Sequence, residues 1–287
     1  MTALDAWCEQ LRSWAIPDDI LRAAPEPPYG YPTEPFERRG AGAGHPADSP
    51  TTARAAEALE EGGGTVLDIG VGGGGTSLPL RGVAAAIIGV DRSSSMLEAF
   101  GRAASALGAR WTGVLGTWPE VSPIVPSADV VMCGHVLYNV QDIAPFVQAL
   151  QAKARRRIVL ELTELHPWAW MRDLWLRFHG LERPRGPTAD DALAALAELG
   201  IRAATEERPA EGHAGFERRE DAVALVRRRL CLPTNREPEV EDALGDRLTR
   251  YEDRWSAGLP EGKLVTLWWD VRELRSPGTA AEPPSAR

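Results

Sequence analysis

The stretch "TVLDIGVGGGGT" at residues 65–76 constrains the fold of this chain more than any other feature. A short apolar run ends near Asp68 and is followed by five glycines within residues 70–75. A glycine-rich turn between a strand and a helix lets backbone N–H groups approach a ligand closely, because no side chain covers them. The stretch therefore predicts a ligand site at the carboxyl edge of a parallel sheet.

Strands and helices alternate on both sides of this stretch, which is typical of an α/β fold with a mostly parallel sheet covered by helices on both faces. Further strands are predicted at 201–207 and 263–273, and the last strand completes a seven-stranded sheet. The other predicted strands are 65–69, 86–90, 110–115, 128–133 and 157–162, and the predicted helices among them are 74–82, 94–106 and 141–153.

The segments outside this alternation predict a domain plan. Residues 1–50 are expected to form an amphipathic helix over 3–15 and a proline-rich lid loop over 24–50. Residues 51–212 together with 263–275 should form the ligand-binding α/β domain, and 276–287 a disordered tail. Residues 213–262 should be a helical insertion that caps the site, with helices at 217–230 and 237–256. Aromatic residues of the lid loop are Tyr29, Tyr31 and Phe36.

Charge and cysteine content narrow the classes of partner. The net charge is −9, and an acidic chain is a poor binder of nucleic acid or of an anionic membrane. The three cysteines are far apart in sequence and indicate neither a disulfide framework nor a metal site. Asp5 and Glu9 interrupt the N-terminal apolar positions, so no signal peptide is expected. Together these features predict a cytoplasmic protein.

The motifs resemble those of the class I S-adenosylmethionine-dependent methyltransferases, which have a Rossmann-like fold. Asp68-x-Gly70-x-Gly72-x-Gly74 resembles the first motif of that family. "IIGVDRSSSMLEAF" resembles its second strand, whose terminal acid, here Asp91, bonds both ribose hydroxyls. "SADVVMCGHVLYNVQDI" resembles the fourth strand and the loop beneath the methionine part of the cofactor, and "VTLWWDV" the antiparallel last strand. The chain departs from the family at "LGTWPEV", where the adenine contact is usually Gly-Asp.

The resemblance implies S-adenosyl-L-methionine as the cofactor and in-line methyl transfer to an oxygen or nitrogen of a small-molecule acceptor. His135 is the first candidate for a general base, because imidazole titrates near neutral pH, and Tyr138 is a second candidate catalytic residue. His45 and Glu161 are weaker options for the base. The expected cofactor-binding residues are Asp68, Gly70, Gly72, Gly74, Asp91, Arg92, Thr117, Trp118, Gly134 and His135.

Three other functions stay open at this point. The spacing Gly70-x-Gly72-x-x-Gly75, with Asp91 downstream, also fits a dinucleotide site and hence an NAD-dependent oxidoreductase. A methyltransferase acting on protein or RNA and a non-catalytic binding protein with the same fold are the remaining alternatives. The sequence leaves the oligomeric state open, with a homodimer among the options.

Overall fold

A computed structural model describes residues 1–29, 49–59, 63–210, 215–251, 253–258 and 262–271. Lid residues Tyr31, Phe36 and His45 and the predicted tail lie outside these ranges. The strands are β1 (Thr65–Ile69), β2 (Ala86–Asp91), β3 (Trp111–Leu115), β4 (Ala128–Gly134), β5 (Ala154–Thr163), β6 (Ala204–Pro209), β7 (Leu248–Tyr251), β8 (Arg254–Ala257) and β9 (Lys263–Asp270). The α-helices are α1 (Ala3–Arg12), α2 (Asp18–Ala23), α3 (Pro50–Glu57), α4 (Ser94–Ala106), α5 (Ile143–Lys153), α6 (Arg172–His179), α7 (Ala189–Glu198), α8 (Arg219–Arg229) and α9 (Glu237–Leu244).

Seven strands form one sheet in the order β3-β2-β1-β4-β5-β9-β6. The neighbouring strands from β3 to β5 pair in parallel, whereas β9 is antiparallel to both β5 and β6. The predicted fold class, a mostly parallel sheet with an antiparallel last strand, is confirmed. The strand order reverses between β1 and β4, and that point of an open α/β sheet creates a crevice at the carboxyl ends of the strands.

Alternate residues of the strands pack into separate cores, as the twofold repeat of a strand requires. Leu67 and Ile69 of β1 lie in one core with Trp7 of α1. Val66 lies in the other core, with Ala55 of α3 and Phe100 of α4. Both faces of the sheet are therefore covered by helices.

The N-terminal helix α1 is fixed to the sheet domain. Trp7 is fully buried and its indole Nε1 donates to the carbonyl of Val140 at 2.8 Å. The Glu198 carboxylate of α7 accepts a hydrogen bond from Ala3 N at 2.6 Å. These two contacts make α1 part of the sheet domain. A lid formed by the loop at 24–50 stays a prediction.

The glycine stretch is not followed by the predicted α-helix at 74–82. A 3₁₀ helix spans only Leu78–Gly82, with Pro79 in its first turn. Glycine is a poor helix former and proline removes a backbone donor, so the preceding turn does not extend into an α-helix. The loop after β1 is thus longer than the sequence predicted.

A third hydrophobic core, in addition to the two cores of the sheet, joins α6, α8 and α9. The predicted helix at 237–256 is wrong beyond Leu244, because Gly245 adopts a positive φ of 50° and ends α9. The antiparallel hairpin of β7 and β8 follows. Within the described residues, no helix has the length and apolar character needed to cross a membrane.

Candidate active site

The glycine loop after β1 closes against the loop after β4. Gly70 has φ of 71°, and a Cβ placed there would lie 2.3 Å from Cγ2 of Val136. Its N–H donates to the carbonyl of Val90 at 2.8 Å, which holds the loop on the end of β2. Gly134 makes a similar approach, since a Cβ there would lie 2.6 Å from Oγ1 of Thr76. Both positions therefore exclude larger side chains on steric grounds.

Asp68 lies at the centre of this edge, paired with Gly89 of β2 and Met132 of β4. Its side chain is 1% exposed, and neither carboxyl oxygen has a hydrogen-bond partner among the described residues. Burial raises the pKa of Asp68 to about 7. The neighbouring Ser77 hydroxyl opposes this rise in the pKa, while the negative charge of Asp91 adds to it. A buried carboxyl group without donors is costly unless a ligand supplies them.

Asp91 ends β2 and organises two loops with its carboxylate. Oδ2 accepts from Gly72 N at 2.9 Å and Oδ1 accepts from Ser93 N at 2.9 Å. A carboxylate has about four lone-pair sites, so these bonds leave acceptor capacity for ligand hydroxyl groups. The neighbouring Arg92 is exposed.

The predicted adenine contacts have different surroundings. Thr117 is exposed, whereas Trp118 is 7% exposed and its Nε1 donates to the carbonyl of Phe146 at 3.3 Å. Gly116 N donates to the backbone carbonyl of Asp91 at 2.9 Å, which brings this loop to the end of β2. The adenine roles of Thr117 and Trp118 stay predictions.

His135 follows β4 in an uncommon backbone conformation. Its φ is 61°, in the left-handed region that non-glycine residues seldom adopt. Its N–H donates to the backbone carbonyl of Glu161 at 2.8 Å, and its Nε2 lies 3.1 Å from Oε1 of the same residue. The side chain of His135 is 34% exposed, while that of Glu161 is fully buried. The imidazole therefore has one side held by the protein and part of its surface open.

Further polar groups surround the Glu161 carboxylate. Oε2 accepts from Thr51 Oγ1 at 2.6 Å and lies 3.4 Å from Nη2 of Arg208. The hydroxyls of Thr51 and Thr266 are 2.7 Å apart, and Thr266 stands directly opposite Glu161 in the pairing of β5 with β9. One carboxylate thus connects α3, β6 and β9 to His135.

Tyr138 points into the core. Its hydroxyl donates a short hydrogen bond to the backbone carbonyl of Thr163, and its ring stacks on Trp7 at 6.1 Å. Burial raises the pKa of the Tyr138 phenol. His166 contacts the same ring edge-on at 5.4 Å, and burial lowers its pKa to about 3, so it is neutral. This geometry gives Tyr138 a structural task, and a catalytic role for it stays a prediction.

Sequence reasoning missed the residues that support Asp68 and Glu161. Ser77 lies beside Asp68, in the segment that the sequence predicted as a helix over 74–82. Thr51 reads as a helix-cap residue, and Arg208 comes from the far end of β6. The one available signal was Thr266, a polar residue at a core-facing position within the apolar run of β9.

Comparisons with known proteins agree with this geometry. Residues 66–156 match a family model described as "Methyltransferase domain". An uncharacterized protein of Haemophilus influenzae is 28% identical over 216 residues, which cover 73% of this chain and 77% of that protein.

One of the solved structures below shows the same fold. The crystal structure of a candidate methyltransferase from Bacillus halodurans aligns with a TM-score of 0.51 and 14% identity, over 77% of this chain and 96% of that one. A methyltransferase from Geobacter sulfurreducens, solved with S-adenosyl-L-homocysteine, aligns with a TM-score of 0.48 and 19% identity, over 82% and 97%. The first likeness concerns the fold alone, and the second is too distant to carry an argument. Residues 66–156 therefore match a methyltransferase domain, and they carry the glycine loop and the strands from β1 to β4 of a Rossmann-like sheet.

Proposed function

We propose that this chain transfers the methyl group of S-adenosylmethionine to an oxygen or nitrogen atom of a small-molecule acceptor in the cytosol. Bound S-adenosylmethionine supplies a methyl group on a sulfonium that departs as a neutral thioether. The protein then has mainly to align donor and acceptor and to exclude water, which can lower the barrier by several kcal/mol.

The observation that carries the proposal is the unpartnered carboxyl group of Asp68. It is buried at the switch point between β1 and β4, and no described residue donates to it. The methionine part of the cofactor carries an ammonium and a sulfonium, so it supplies the donors and the positive charge that this site lacks. A diphosphate at the same position would meet a carboxylate and be repelled.

The remaining cofactor residues fit the same group. Gly70 and Gly72 have φ of 71° and 51°, and Gly70 closes against Val136, so the loop presents backbone to the crevice. Asp91 retains acceptor capacity at the end of β2, which suits the two ribose hydroxyls. These residues would hold the cofactor along the edge of β1 and β2.

Net charge and nearby aromatic side chains support a small acceptor. The net charge of −9 disfavours RNA as the acceptor. Trp14, which packs against the third core, stacks on His166 at 4.2 Å, and His166 contacts Tyr138 after β4. Aromatic side chains therefore lie near the edge of the sheet that carries His135, which suits an acceptor with an apolar body.

The test incubates the full chain with S-adenosylmethionine and a panel of hydroxylated and aminated metabolites, with total RNA and a protein mixture as separate acceptors. Formation of S-adenosylhomocysteine is measured. We expect product only with members of the metabolite panel. Product with RNA or protein, and with no small molecule, would contradict the proposed acceptor class.

A further inference from the structure

We propose that Glu161 is a positioning residue that keeps His135 in the tautomer protonated at Nε2, so that Nδ1 accepts a proton from a hydroxyl acceptor. The inference rests on the proposed function and names its acceptor class. It is carried by the contacts of the Glu161 carboxylate and by the backbone of His135.

The imidazole is held at two points by the same residue. The backbone N–H of His135 donates to the Glu161 carbonyl at 2.8 Å, and Nε2 lies 3.1 Å from Oε1. The pairing of Gly134 with Glu161 in β4 and β5 sets this placement. The φ of 61° at His135 is a conformation that surrounding structure must maintain. The register of two central strands therefore determines where the ring lies.

The other contacts of Glu161 decide which imidazole nitrogen carries the proton. Oε2 accepts from Thr51 at 2.6 Å and lies 3.4 Å from the Arg208 guanidinium. The Thr51 hydroxyl is also 2.7 Å from that of Thr266, so Thr266 can donate to Thr51 while Thr51 donates to Glu161. These donors favour an ionised carboxylate, which can only accept. Nε2 must then carry the proton, and the lone pair of the neutral ring is on Nδ1.

This arrangement suits a hydroxyl acceptor. A hydroxyl keeps its proton at neutral pH and needs a base as it attacks, whereas a neutral amine attacks without one. As the acceptor oxygen forms its bond to the methyl carbon, the bond from carbon to sulfur breaks and the sulfur keeps that electron pair. The hydroxyl proton passes to Nδ1 of His135, giving an imidazolium beside the Glu161 carboxylate, an ether and neutral S-adenosylhomocysteine. With 34% of its side chain exposed, His135 can be reached by the acceptor.

Glu161→Gln is the variant that tests the tautomer of His135, because the glutamine amide has only one favourable orientation at this position. Thr51 and Arg208 both donate toward the Oε2 position, so the amide oxygen should lie there and the NH₂ group should face Nε2 of His135. Nε2 would then have to accept, and the proton would move to Nδ1. Glu164→Gln is the matched control, since Glu164 is exposed three residues further along.

Imidazole ¹⁵N shifts of the full chain labelled with ¹⁵N-histidine measure the tautomer, and His135→Asn assigns the signals. In the wild type and in Glu164→Gln we expect the Nε2-protonated form in at least about tenfold excess, as one charge-assisted hydrogen bond implies. In Glu161→Gln we expect the excess to be reversed. A wild-type ring protonated at Nδ1 would overturn the proposal even if the variant failed to fold, and so would an unchanged tautomer in a folded variant.

Turnover and cofactor binding complete the test. With a hydroxylated acceptor from the panel, Glu161→Gln should lower kcat about 100-fold, while KM and the affinity for S-adenosylhomocysteine stay within about twofold. Equal kcat in the variant, or turnover of amines with no hydroxylated acceptor, would overturn the inference. Failure of the wild type to bind S-adenosylhomocysteine would instead overturn the proposed function, so the two failures are distinguishable.

Discussion

At the scale of single residues, the buried carboxyl group of Asp68 affects both the free energy of unfolding and the binding of a cationic ligand. Burial raises its pKa from 3.8 to about 7. Between these values the folded chain holds a proton that the unfolded chain releases, so the stability contribution of Asp68 falls as pH rises from about 4 to about 7. A cationic ligand would reverse this penalty by stabilising the ionised form.

We predict that Asp68→Asn raises the free energy of unfolding at pH 8 by up to about 4 kcal/mol and has little effect near pH 4. The estimate follows from two pKa values about three pH units apart, at about 1.4 kcal/mol for each unit. Denaturant unfolding at both pH values measures the effect, with the exposed Asp246→Asn as control. The same change should weaken binding of S-adenosylhomocysteine. A variant less stable than the wild type at pH 8 would show that Asp68 has a protein donor.

A comparison of Gly70 with Gly108 distinguishes the energetic cost of backbone strain from the cost of a close side-chain contact. Both have positive φ, 71° and 69°, but only Gly70 has a neighbour, since nothing lies within 4 Å of a Cβ built at Gly108. We predict that Gly108→Ala costs about 1 kcal/mol of stability and leaves ligand affinity unchanged. Gly70→Ala should cost a further 1–3 kcal/mol or so and weaken S-adenosylhomocysteine binding at least tenfold. Equal stability and equal ligand affinity in the two variants would mean that the Val136 side chain moves away from residue 70 at no measurable cost.

At the scale of elements, Arg183 joins the segment after α1 to the third core. It is 5% exposed, its Nη1 donates to the carbonyls of Ser13 and Ala15 at 2.8 Å each, and its guanidinium lies 4.4 Å from the centre of the Trp175 ring. Its Nε and Nη2 have no partner among the described residues, which offsets part of this stabilisation.

We predict that Arg183→Met lowers the free energy of unfolding by about 1–3 kcal/mol, because it removes the two hydrogen bonds to carbonyls while retaining most of the packing. Limited proteolysis should cut between residues 13 and 23 faster in this variant. The exposed Arg12→Met serves as control. Unchanged stability and cleavage would contradict the view that Arg183 fastens this junction.

Local elements were predictable where one signal dominated. The apolar run before Asp68 and the acid at Asp91 predicted the ends of β1 and β2. The helix expected at 74–82 was wrong because glycines and Pro79 outweighed the apolar pattern. The hairpin of β7 and β8 was missed because its charged residues resemble those of an exposed helix, and only tertiary pairing distinguishes the two.

At the scale of the whole molecule, the fold class followed from strand and helix alternation, whereas the surroundings of His135 did not. Its partner Glu161 lies on a different strand and Thr51 on a different helix. Their meeting depends on strand register and helix packing, which a single sequence does not specify. The first motif predicted the glycine loop at this edge of the sheet, whereas the contacts of His135 emerged only from the structure.

The central claim is that the unpartnered carboxyl group of Asp68 favours binding of a cationic group and repels a diphosphate. Calorimetric titration of the full chain with S-adenosylhomocysteine and, separately, with NADH tests this claim most directly. We expect one-to-one binding of S-adenosylhomocysteine and no heat of binding with NADH. Binding of NADH, with none of S-adenosylhomocysteine, would contradict it.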